Sequence, residues 1–64
     1  MNKLKWKEIA GEYHAKTKYL SFHIRKGLIK NTWILDKCFY VWETVGCFKK
    51  LSSAKKVAQL IHNG

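Results

Sequence analysis

Tyr19-Leu20-Ser21-Phe22-His23-Ile24-Arg25 decides the fold class. Leu20, Phe22 and Ile24 alternate with Tyr19, Ser21, His23 and Arg25, and residues two apart share one side of an extended chain. The stretch therefore reads as a strand with one apolar and one polar face, which an all-helical chain would not need. On its N-terminal side, Glu12 to Thr17 reads as a second strand, with Tyr13, Ala15 and Thr17 on one face and His14 and Lys16 on the other. Lys18 takes the turn between them, and Gly11 interrupts the chain before them. Residues 1–10 set Lys3, Lys5 and Lys7 against Leu4, Trp6 and Ile9, a pattern open to a basic arm, an extra strand or a helical turn.

On the C-terminal side, Lys26-Gly27-Leu28-Ile29-Lys30-Asn31 makes a basic connection in which Gly27 can take a positive φ. Thr32 to Leu35 makes a third strand and Asp36-Lys37 the following turn. Phe39 to Val45, rich in β-branched and aromatic residues, makes a fourth strand that Gly46 ends. The period then changes. Ala54, Val57, Ala58 and Ile61 recur at helical spacing, with Leu60 widening the stripe. Leu51-Ser52-Ser53 offers an N-cap serine and Asn63-Gly64 a C-cap. A helix this short is marginal alone in water and must dock on the sheet. The expectation is a single small α+β domain over residues 1–64: an antiparallel sheet of three or four strands with one C-terminal helix packed on one face.

Thirteen basic against four acidic side chains give the 64 residues a formal net charge of +9. That exceeds what solubility asks of a small domain and favours a polyanion partner. The first 30 residues hold eight basic and two acidic side chains and the rest five and two, so the charge is not a detachable tail. A hydrophobic fraction of 47%, with three each of Trp, Tyr and Phe, supplies a core and argues against disorder. Cys38 and Cys47 form no disulfide framework or zinc knuckle and read as small buried hydrophobes in a reducing, cytoplasmic setting. No apolar run spans a membrane, and the first residues lack a signal-peptide core.

Catalytic and metal chemistry find little here. His14, His23 and His62 are scattered; His14 and His23 can meet only across a hairpin, short of the three or four ligands a metal needs. Glu8, Glu12, Asp36 and Glu43 follow no paired-carboxylate logic, and no glycine-rich phosphate loop precedes a helix. The expectation is a non-enzyme without cofactor or metal.

Three basic clusters remain: Lys3, Lys5 and Lys7; Arg25, Lys26 and Lys30; and Lys49, Lys50, Lys55 and Lys56 around the helix start. Lysines there oppose the helix dipole, yet with free backbone N–H groups they suit a phosphate. The element order, Tyr19–Arg25, Trp33–Leu35, Phe39–Val45 and a helix in Ser52–His62, resembles the arm-site DNA-binding domains of phage and transposon integrases. Gly11-Glu12-Tyr13, Tyr19-x-Ser21-Phe22, Trp33-Ile34-Leu35 and Ala54-Lys55-Lys56-x-Ala58 are similar to patterns of short phage-encoded proteins. The resemblance implies a sheet entering the major groove, with Ser21, His23 and Arg25 facing bases and Lys16, Lys26 and Lys30 holding phosphates. A nucleic-acid binder, most simply of duplex DNA, is thus the first expectation. The alternative is a phage-type inhibitor or regulator gripping an acidic host-protein surface, with Tyr40 and Trp42 as anchors.

Overall fold

The computed structural model describes residues 3–64. Five strands, β1 (Lys7–Ile9), β2 (Glu12–Lys16), β3 (Ser21–Lys26), β4 (Trp33–Cys38) and β5 (Trp42–Phe48), precede one helix, α1 (Leu51–Asn63). The strands form an antiparallel meander in sequence order. The α+β class and the C-terminal helix agree with the sequence; the sheet has five strands rather than three or four. The extra strand lies in the segment left open at 1–10. Ala10 and Gly11, both at positive φ, make the two-residue turn that folds β1 onto β2. Two consecutive positive φ values match the right-handed twist of a tight hairpin.

Two other boundaries move. Asp36 and Lys37 are paired residues of β4, not a turn. Asp36 is almost wholly buried, and its carboxylate accepts from Arg25 Nε and Thr44 Oγ1, both at 2.9 Å. Those long-range partners override the local turn tendency of an Asp-Lys pair. The turn falls instead at Phe39–Val41, despite its strand-like composition, and β5 runs through Gly46 to Phe48. A register irregularity at Leu35/Asp36 absorbs the offset.

The alternation at 19–25 does set the faces. Phe22 and Ile24 join Ala15 and Leu35 from neighbouring strands, and Ala54 and Ala58 of α1 close the core. Phe22, Ile24 and Leu35 are fully buried, each contributing about 1.5–3 kcal/mol. The small side chains of Ala54 and Ala58 let the helix backbone approach the sheet, where it packs on β3, β4 and β5. Residues 3–6 add to the cover of that face: Leu4 and Trp6 pack on the core, Trp6 against Phe22, and the Leu4 N–H donates to Gln59 Oε1 at 2.8 Å. A ladder continues the cover. Lys26 lies over Trp33, Trp33 meets Tyr13 edge-on, and Lys55 lies over both Tyr13 and Trp6.

The helix begins one residue before the expected serines. Lys50 is the N-cap, makes no side-chain capping bond, and is followed by no acidic residue in the first turn. Gly64 is the C-cap, its N–H donating to Leu60 O at 3.0 Å. Nor are the cysteines buried: Cys38 is half-buried and Cys47 exposed, both free thiols.

Candidate nucleic-acid interface

Antiparallel order fixes which turns share an end of the sheet. The β2–β3 and β4–β5 turns lie at one end; the β1–β2 turn, the β3–β4 loop and the exit of β5 lie at the other. At the first end, Lys3, Lys5, Lys16 and Lys18 line an open groove of about 640 Å³ with Leu4, Thr17 and His62. Among the described residues, no carboxylate lines it. Three distant segments meet there: the stretch before β1, the β2–β3 turn and the last turn of α1.

The β2–β3 turn holds its lysines on a rigid base. Thr17 Oγ1 accepts from the Leu20 N–H at 2.9 Å and the Tyr19 N–H at 3.3 Å, and the Thr17 N–H donates to Leu20 O at 2.7 Å. A threonine side chain thereby substitutes for part of the turn's backbone pairing. Tyr19 projects into solvent beside the groove with the Lys18 ammonium 5.4 Å from its ring centre.

A second basic hollow of about 530 Å³ lies at the other end, lined by Lys26, Lys30 and Lys49 with Gly27, Ile29, Asn31, Thr32 and Trp33. Asn31 at φ +62 and the Gly27 N–H to Thr32 O bond shape that loop. The four lysines expected around the helix start therefore part company. Lys49 joins Lys26 and Lys30, while Lys55 is turned to Tyr13 and Trp6. Lys50 and Lys56 are exposed.

The middle of the uncovered sheet face is different. Register sets Glu12, His14, Ser21, His23, Arg25, Asp36 and Thr44 on that face. Arg25 is held by Asp36, and His23 Nε2 lies 2.8 Å from Glu12 Oε1. The His14 and His23 rings stack at 4.4 Å between centres and 12° between planes, and Trp42 meets His23 edge-on at 6.2 Å. Two of the three groups expected to face bases, His23 and Arg25, are thus paired with other side chains of the protein, and Ser21 is half-buried beside Cys38 in register.

Phe39, Tyr40, Val41 and Trp42 form a run of exposed apolar residues at the first end, with Tyr40 at 86% exposure. Of the groove, the sequence marked Lys16 as a contact and grouped Lys3 with Lys5, but missed Lys18 and His62. The signal was present only as charge; nothing local says that residue 62 returns to residue 3. Comparison with protein-family models, curated proteins and solved structures yields no match, so the site stands on its own chemistry.

Proposed function

We propose that the protein is a non-catalytic nucleic-acid binder that grips the phosphate backbone, most simply of duplex DNA, with lysines at the two ends of its sheet. The observation that carries this reading is the acid-free groove of Lys3, Lys5, Lys16 and Lys18. Four ammonium groups around one hollow repel one another, and a polyanion relieves that repulsion. The longest dimension of the molecule is 32 Å, close to about nine base-pair steps at 3.4 Å each, which bounds the length of duplex it can contact. Exposed Tyr19 adds an aromatic face beside the phosphate-binding lysines.

Contact is then mainly with phosphates. Base reading by His23 and Arg25, as the integrase resemblance implies, requires Arg25 to leave a nearly buried carboxylate, and removing one partner of such a pair is costly. Sequence preference is accordingly weak in this reading.

A second reading, an inhibitor or regulator of an acidic protein, draws support from the exposed run Phe39–Trp42. Fluorescence anisotropy with a labelled duplex separates the two, using a Lys16→Ala/Lys18→Ala variant and a Tyr40→Ala/Trp42→Ala variant. Backbone binding predicts that the lysine variant loses affinity and the aromatic variant keeps it. No affinity for duplex, single-stranded DNA or RNA at low salt would remove the first reading in favour of the second.

A further inference from the structure

We infer that Glu12, His14 and His23 form a three-ligand site for a divalent first-row transition metal of the zinc type. Sequence spacing scatters these residues and argues against a metal; strand register reverses that. β2 and β3 pair His14 directly with His23, and Glu12, two residues before His14, falls on the same face. One donor atom from each of the three lies within 4.8 Å of the others. The cluster lies on the uncovered face; Glu12 also borders a small hollow with Lys26, but neither histidine lines a lysine hollow, and the inference does not rest on nucleic-acid binding.

The donor chemistry is specific. Two imidazoles and one carboxylate suit zinc and its neighbours, and leave a fourth position for water. With metal–ligand bonds of 2.0–2.1 Å, tetrahedral donors stand about 3.4 Å apart. Glu12 Oε1 and His23 Nε2 are already at 2.8 Å and would part slightly around an ion, and the His14 donor lies within 4.8 Å of both. Glu12 is free to make that movement, its side chain being 46% exposed; His23, at 21%, is the more fixed partner. Stacked, near-parallel rings 4.4 Å apart do not both aim an in-plane lone pair at one point, so ligation requires one imidazole to turn about its side-chain torsions; the edge of Trp42 against His23 makes His14 the one to turn.

The surroundings set the ligand count at three. Asp36, opposite His23 on β4, has its two oxygens committed to Arg25 and Thr44. Lys7, opposite His14 on β1, places a cation on the same face, which weakens affinity for a metal ion without blocking its approach.

Isothermal titration with Zn²⁺ at neutral pH, alongside Co²⁺ absorption spectroscopy, tests the site. The expected result is one ion per chain and the visible bands of four-coordinate Co²⁺. His14→Ala and His23→Ala should each weaken binding about tenfold or more, since even removal of groups that merely orient ligands costs that much. Cys38→Ser/Cys47→Ser should leave it unchanged. Absence of binding at millimolar Zn²⁺ overturns the site, as does binding that survives a His14→Ala/His23→Ala double variant or disappears with the thiols. Because histidine removal can disturb the strand pair, histidine-ring NMR shifts of the unmodified chain give a second measure: on adding Zn²⁺, His14 and His23 must move and His62 must not.

Discussion

Removing Lys16 and Lys18 gives the sharpest quantitative test of the lysine groove. Both side chains are exposed, and the turn between them is held by Thr17 rather than by either ammonium, so the double alanine variant should fold as the parent does. If the four groove lysines each neutralise one phosphate, log affinity for duplex DNA falls with log salt at a slope of about −3.6, from about −0.9 per contact. Between about 50 and 200 mM salt, a change of about 0.6 log units, affinity then drops about 150-fold. With two lysines gone the slope becomes about −1.8 and the drop about 12-fold. Engagement of Lys26, Lys30 and Lys49 in the same complex steepens both slopes by about 2.7 and leaves their difference at about 1.8. The assay is fluorescence anisotropy on a short duplex over a salt series, with thermal melts confirming equal folding. An unchanged slope in the variant refutes the groove as the phosphate site, whatever the absolute affinity.

Four further outcomes follow from the packing. Lys50→Asp supplies the missing N-cap and should stabilise the fold by about 0.5–1 kcal/mol in urea melts while lowering affinity for duplex DNA. Ala58→Leu forces a larger side chain into the fully buried helix–sheet contact and should cost about 1–3 kcal/mol by the same measurement. Asp36→Ala strips Arg25 and Thr44 of their acceptor and should cost about 1–3 kcal/mol, with Arg25, 43% exposed, recovering part of the loss from water. Ala10→Gly relieves a non-glycine residue at φ +53 in the first turn and should raise the urea midpoint, a gain of up to about 1 kcal/mol.

Periodic signals were the legible ones. Phe22 and Ile24 alternate because a strand half-covered by a helix must, and both are core residues. Ala54 and Ala58, four apart, mark the buried stripe of α1. Local composition misled where a distant partner outweighed it. Asp36 looks like a turn residue until Arg25 and Thr44 supply its hydrogen bonds, and Phe39–Val41 looks like a strand until the shifted β4–β5 register makes it the turn. Ser52 and Ser53 look like caps, but the helix starts at Leu51.

The sequence by itself determined an α+β chain with a two-faced sheet, a docked C-terminal helix and a large excess of lysine. Those properties depend on repeats two or four residues long and on composition, which any short window carries. Only the tertiary structure decided which charges become neighbours. It gathers Lys3, Lys5, Lys16, Lys18 and His62 around one hollow, neutralises Arg25 against Asp36, and stacks His14 on His23. The physical reason is that electrostatic interaction depends on separation in space, and strand register and helix docking set those separations between residues far apart along the chain.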